Sequence, residues 1–184
     1  FHEGNAWNYT FFIPHDVKGL VKMMGGDKKF VNKLQSVFDR GNYDPTNEPN
    51  IAYPYLFSRF KGEEWRTQKL IKELLAKHFT NQPAGIPGND DTGTMSTWAI
   101  FSMIGLYPDC PGVPEYTLTT PTFDEIVVKL DPKYWGKDKL VIKKEGKGDY
   151  IKEIKLDGKK YGKYLISHED LINAGEITFV TMDR

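Results

Sequence analysis

Residues 94–106, Thr-Met-Ser-Thr-Trp-Ala-Ile-Phe-Ser-Met-Ile-Gly-Leu, carry no charge at all. The run is shorter than the roughly 20 apolar residues that a membrane helix needs, and too apolar for a helix facing water. It predicts a helix buried among others, as in a multi-helix barrel or bundle. The helices that could surround it are legible upstream. Asp27 reads as an N-cap, followed by Phe30, Val31, Leu34, Val37 and Phe38 at helical spacing, with Gly41 as the stop. Pro14-His15-Asp16 opens a shorter helix through Val17, Leu20, Val21 and Met24, ended by Gly25-Gly26. A longer one is expected from Glu63 to Phe79, with Leu70, Ile71, Leu74 and Leu75 on one face.

From about Pro114 the period changes from helical to alternating. Segments 116–119, 125–130, 139–143, 150–156, 163–166 and 176–181 are rich in β-branched and aromatic residues, and Asp157-Gly158 marks a hairpin turn. His168-Glu169-Asp170 reads as a solvated polar turn among them. The expected fold class is therefore mainly α followed by β: helices in 1–112 and a small antiparallel β unit in 113–184.

Composition closes off several functions. Lysine plus arginine equals aspartate plus glutamate at 25 each, so no net field draws nucleic acid or anionic lipid. No apolar run approaches a membrane span. The single cysteine, Cys110, sits in a turn-rich stretch and excludes an internal disulfide or a multi-cysteine zinc site. His2, His15, His78 and His168 never fall at paired zinc-ligand spacing. Four Trp and ten Tyr suit a protein that stacks on sugar rings, and equally suit a filled core. The chain opens on Phe1-His2-Glu3-Gly4, without an initiator Met or signal peptide, as expected of a mature or truncated fragment.

Three loops concentrate carboxylates and amides: His2–Tyr9, Tyr43–Asn50 and Gly85–Gly93. In the third, Asp90 and Asp91 precede the uncharged helix. Either one caps the helix while the other is solvated, or the helix N-terminus keeps an anion ionised for use as a base or a hard-cation ligand. In the first, Glu3 lies beside Trp7 and Tyr9. An acid desolvated against aromatic surface would hold its proton at neutral pH, whereas an exposed one near a chain end would not. One protonated and one ionised carboxylate is the pair that glycoside hydrolysis uses. The Asn47-Glu48-Pro49 loop adds amide and carboxylate oxygens of a kind that suits Ca2+.

Taken together, these loops resemble the glycoside hydrolase family 92 exo-acting α-mannosidases. The matching stretches are Glu3-Gly-Asn-Ala-Trp-Asn-Tyr9, Pro14-His-Asp16, Asn47-Glu-Pro49 with Tyr53-Pro-Tyr-Leu56, and Gly85-Ile-Pro-Gly-Asn-Asp-Asp-Thr-Gly93. They continue through Met95-Ser96, Trp98 and Gly105-Leu-Tyr-Pro108 to Thr120-Pro-Thr-Phe123 and Leu156-Asp-Gly-Lys159. The resemblance implies part of an (α/α)6 toroid with a C-terminal β unit. An N-terminal β-sandwich and upstream barrel helices of the same enzyme would act as its partners. It implies calcium-dependent, inverting release of terminal mannose from N-glycans or mannans. Glu3 would be the general acid and Asp91 the general base, with Asp90 assisting. Asn47, Glu48 and Trp7 would contact the sugar, and Asp91, Asn50 and Ile51 would hold Ca2+. A bacterial periplasmic or extracellular, cell-surface location is implied. Asn47 stands where α-1,2-selective relatives tend to have His, which leaves the linkage open. The alternatives are a non-catalytic carbohydrate-binding or structural fragment, and an (α/α)6 glycosidase for another sugar.

Overall fold

The structure, a computed structural model, describes residues 1–183. Six helices come first. A single turn, α1 (Ala6–Tyr9), is followed by the 3-10 turn Pro14–Asp16 and α2 (Val17–Met23), which Asp16 caps by accepting the Gly19 N–H at 2.8 Å. Next comes α3 (Asp27–Asp39), whose stripe of Phe30, Val31, Leu34 and Val37 is buried as its spacing predicts. Its cap is Gly26 and not Asp27. Asp27 is the first helical residue, where a negative charge opposes the positive end of the helix dipole. Then come α4 (Glu48–Ile51), the 3-10 stretch Tyr53–Arg59, α5 (Glu64–His78) and α6 (Thr94–Ile104).

One core cluster lies where α2, α3 and the 3-10 stretch meet. Phe11 packs edge-on against Phe30 at 5.1 Å and against Tyr53 at 5.4 Å, with Leu34, Phe57 and Phe60 around them. A second cluster joins Tyr55, Ile71, Leu74, Trp98 and Tyr107. The expectation that α6 is buried on every side fails. Met95, Trp98, Ala99 and Ser102 face the core, whereas Ile100 is 57% exposed. Packing partners among the described residues cover one face of this helix and leave the face with Ile100 open.

The remaining elements are β1 (Leu106–Tyr107), β2 (Glu115–Leu118), β3 (Glu125–Lys129), a turn of helix α7 (Pro132–Trp135), β4 (Lys139–Glu145), β5 (Tyr150–Leu156), β6 (Lys159–Tyr161), β7 (Leu165–Ser167), α8 (His168–Asn173) and β8 (Glu176–Met182). They form a three-stranded sheet, β1-β2-β7, and a five-stranded one, β3-β4-β8-β5-β6. The unit is mixed and not purely antiparallel, because β4 and β8 pair in parallel. Alternation identifies a strand but not its neighbour. A parallel partner has to return by a long crossover, here the chain through β5, β6, β7 and α8. His168-Glu169-Asp170 is no loose turn either. The Ser167 hydroxyl accepts the Asp170 N–H at 3.0 Å and starts α8.

Helices and sheets are joined by buried polar contacts. The Arg59 guanidinium donates to both carboxylate oxygens of Asp109, at 3.0 and 3.1 Å through Nη2 and 3.2 Å through Nε. Thr117 of β2 donates to the same carboxylate at 3.3 Å. Beside this pair Tyr55 stacks on Tyr107 at 4.1 Å with planes 6° apart. The Ser102 hydroxyl spends its proton on the Trp98 carbonyl at 2.6 Å, so the Tyr55 hydroxyl is the donor in its 2.5 Å bond to Ser102. Burial pushes the Tyr55 phenol well above the usual range, consistent with that donor role. Farther along, Gln68 of α5 accepts the Ile151 N–H at 2.8 Å, tying the helix to β5.

Removing one partner of a buried ion pair costs about 3–5 kcal/mol. Asp109→Ala should fall near 3 kcal/mol, because Arg59 keeps Glu115 within 3.6 Å and some access to solvent. Urea unfolding of parent and variant measures this; an unchanged midpoint would mean that the Arg59–Asp109 pair adds nothing to the joint.

Candidate active site

The first loop is shaped by amides. The Asn5 side chain accepts the Trp7 N–H at 2.8 Å, and the Asn8 side chain accepts the Asn5 N–H at 2.8 Å, so the two residues cap α1 reciprocally. Glu3 leaves this turn with φ at +51°, in the left-handed region. Its side chain is 72% exposed, with His2 Nε2 at 3.5 Å. The apolar pocket expected around Glu3 is therefore not built by these residues. Trp7 turns the other way. Lys33 Nζ lies 4.9 Å from its ring centre and the Arg40 guanidinium 5.8 Å, and the ring packs on the first core cluster.

The second loop closes onto the first. The Asn47 side-chain amide donates to the Glu3 carbonyl oxygen. Deeper down, Asn8 Nδ2 donates to Asn50 Oδ1 at 2.8 Å, and Asn50 is wholly buried. The Tyr53 hydroxyl donates to the Asn8 carbonyl at 2.7 Å and accepts the Phe11 N–H at 3.0 Å. Glu48 is half-buried and borders an apolar cleft of about 250 Å³ shared with Phe11, Ile51, Tyr53 and Tyr107. The Ile51 carbonyl accepts the Trp98 indole N–H at 2.9 Å, which links this loop to α6.

The third loop leans on the second at Gly88. A Cβ there would stand 2.9 Å from Thr46 Cβ, and φ is +65°, so glycine alone permits the approach. Beyond it the two aspartates separate in role. Asp90 accepts the Ser96 N–H at 2.8 Å and the Ser96 hydroxyl at 2.7 Å. The Ser96 backbone N–H, followed by its hydroxyl, holds the Asp90 carboxyl below the usual carboxylate range. Asp90 thus serves the amino end of α6, while Asp91 stands exposed beside it. Asp91, Thr92 and Gly93 run at φ of +36°, +59° and +89°. A β-branched residue in that region is strained. Among the described residues four non-glycines have positive φ, and three of them, Glu3, Asp91 and Thr92, lie on these loops. Strain of this kind gathers where geometry is fixed for function.

The loops thus form one strip, from Glu3 through Asn47 and Thr46 to Gly88 and Asp91. Glu3, Asn47, Glu48, Asn50, Ile51, Asp90 and Asp91 belong to it; Trp7 turns to α3. The described residues do not by themselves complete a calcium site. Among the described residues no group of three or more His, Cys, Asp or Glu could hold a metal ion. Asn50 has its oxygen on Asn8, and its buried Nδ2, a donor without a hydrogen-bond partner, cannot ligate a cation. Asn8, Tyr53, Ser96 and Trp98 escaped the sequence reading as site residues. Their importance rests on partners 42 to 47 positions away or on the far side of a helix start, which spacing does not reveal.

Compared with known proteins, residues 1–183 match the glycosyl hydrolase family 92 catalytic domain. An uncharacterised secreted glycosidase of Arthroderma benhamiae is 31% identical over 180 residues, covering 96% of this chain and 23% of that protein. A family GH92 α-mannosidase from Bacteroides thetaiotaomicron, solved with mannoimidazole, superposes with a TM-score of 0.90 at 28% identity, covering 99% of this chain and 26% of that one. An inverting mannosidase of family GH92 from the same organism gives 0.85 at 27% identity, covering 100% of this chain and 28% of that one. The chain thus spans about a quarter of the length of these relatives.

The lowered Asp90 carboxyl makes stability depend on pH in a stated direction. A depressed folded value contributes stability that is present above the unfolded value of about 3.9 and lost as pH falls through the folded one. Melting temperatures measured from pH 5 downward should therefore fall more steeply in the parent than in Asp90→Asn; parallel curves would remove Asp90 from the acid limb.

Proposed function

Because the chain belongs to glycosyl hydrolase family 92, we propose that the enzyme containing it hydrolyses terminal α-linked mannose with inversion. Glu3 is the general acid in this reading and Asp91 the general base. The observation that carries it is the strip just described, where two exposed carboxylates in left-handed backbone are linked through Asn47 and Thr46. The protonated Glu3 carboxyl gives its proton to the glycosidic oxygen as the bond from C1 to that oxygen breaks. Asp91 takes a proton from water as the water oxygen bonds to C1 from the opposite face. Released mannose has the β configuration, and solvent returns the proton to Glu3 and removes one from Asp91. Asp90 supports the base through Ser96 and the start of α6, and does not itself attack. A sugar-bound crystal structure should show the two carboxyls about 6.5–9.5 Å apart, the span an intervening water requires.

Several further features belong to the same proposal. The helices complete an (α/α)6 toroid with segments outside this chain, whose walls position the sugar. The substrate is a mannose-containing oligosaccharide of the N-glycan or mannan type, held partly by Asn47 and Glu48. Glu3 is 72% exposed in this chain, so the proposal requires those outside walls to desolvate the acid. Calcium would need most of its oxygens from those outside segments, with Asp91 and the Ile51 carbonyl as this chain's share; no step above depends on it. Secretion is supported by the Arthroderma relative's description as secreted, and no helix among the described residues is long and apolar enough to cross a membrane.

In the full-length enzyme, Glu3→Gln and Asp91→Asn should each lower kcat by about 10²–10⁴ on a mannobiose, as expected for loss of a proton-transfer group. Steady-state kinetics on mannose and glucose disaccharides, with and without a chelator, measures this and the sugar preference together. Parent-like turnover in either variant would remove that residue from the chemistry.

A further inference from the structure

We infer that Asn8 and Asn50 are positioning residues for the proposed acid, an inference that rests on the reading of Glu3 given above. Asn8 Oδ1 is committed to the Asn5 N–H, which fixes the orientation of its amide. Asn8 Nδ2 therefore faces Asn50, and Asn50 answers with Oδ1 at 2.8 Å across 42 positions of sequence. Both side chains are buried, at 4% and 0% exposure. The Tyr53 hydroxyl grips the Asn8 carbonyl and the Phe11 N–H on the same turn.

The segment held in this way leads directly to Glu3. Gly4 passes so close over the turn that a Cβ would stand 3.0 Å from the Tyr9 ring and 3.1 Å from Asn8 Cβ. One residue earlier, the Glu3 carbonyl is taken by Asn47, from the loop that carries Asn50. One loop thus holds the Glu3 carbonyl through a surface amide and the turn that follows Glu3 through a buried one.

Asn50 also carries a cost that packing alone does not explain. Its Nδ2 is buried with no hydrogen-bond partner, an arrangement that costs about 1–3 kcal/mol and that apolar residues at both positions 8 and 50 would avoid. The bond its oxygen makes to Asn8 is the compensating use. Positioning of this sort matters in proportion to the proton transfer it serves, hence to the basicity of the departing oxygen.

The test uses the full-length enzyme and two α-mannosides, one with a sugar leaving group and one with dinitrophenolate, which departs without a proton. Glu3→Gln is the reference and should lose far more rate on the first than on the second. Asn50→Leu deletes the amide bond, exchanging the orphaned Asn50 Nδ2 for an unpaired Asn8 Nδ2. It should lose about 10- to 100-fold in kcat on the sugar leaving group. The dinitrophenyl substrate should be little affected, whatever the melting temperature does, because a merely structural loss would lower both substrates alike. Tyr53→Phe, a milder change on the other side of the same turn, should show the same bias at smaller size. Equal losses on both substrates, or parent-like rates in both variants, would overturn the inference while leaving Glu3 in place. If Glu3→Gln itself shows no bias, the acid assignment fails and the inference falls with it.

Discussion

Asp109 is a carboxylate with 4% exposure, and a charge so placed must be neutralised on the spot. Arg59, at the end of the 3-10 stretch, supplies the fork that does so, and Thr117 of β2 supplies a further donor. Since these groups come from the helical half and from the sheet, the halves cannot separate without stranding a charge. The Tyr55–Tyr107 stack fills the adjoining space, and its hydroxyl bond to Ser102 draws in α6. Part of the site is joined to it through α6. The Ile51 carbonyl reaches Trp98 on α6, and α6 in turn begins at the strained aspartate loop.

The strip of loops combines rigid supports with free ends. Amides, glycine contacts and capping bonds occupy the backbone, while the Glu3 and Asp91 side chains project to solvent. Asp90 and Asp91 show how one sequence step divides such duties. At the first position both carboxylate oxygens are taken by Ser96, and at the second the backbone turns left-handed and releases the side chain to solvent. A group that must exchange protons with a ligand needs that release, and its neighbour supplies the anchorage.

Much of the fold was legible because periodicity reports burial. The stripe of Phe30, Val31, Leu34 and Val37 and the hairpin at Asp157-Gly158 follow from local rules. What escaped depends on partners. The two-residue strand Leu106–Tyr107 exists only because β2 lies opposite, and the parallel pairing of β4 with β8 cannot be read from alternation. Asp27 misled by one residue because glycine at positive φ can also begin a helix. At the site, residue types suggested two carboxylates and a set of amides. The division of labour between Asp90 and Asp91, and the amide pair beneath Glu3, needed three-dimensional contacts to appear.

The strand order of the larger sheet has a consequence for how the chain folds. Its central strand, β8, is the last of the eight in sequence, and it lies between β4 and β5 with Ile177, Thr178 and Phe179 buried. Until those residues leave the ribosome, β3 with β4 and β5 with β6 can form only two separate ribbons, each with an open edge. Such edges invite pairing with other chains, and closing them demands contacts between distant parts of the sequence, which form slowly. The vulnerable interval in the life of this protein is therefore the one before β8 emerges, when the sheet has its two flanks and lacks its middle.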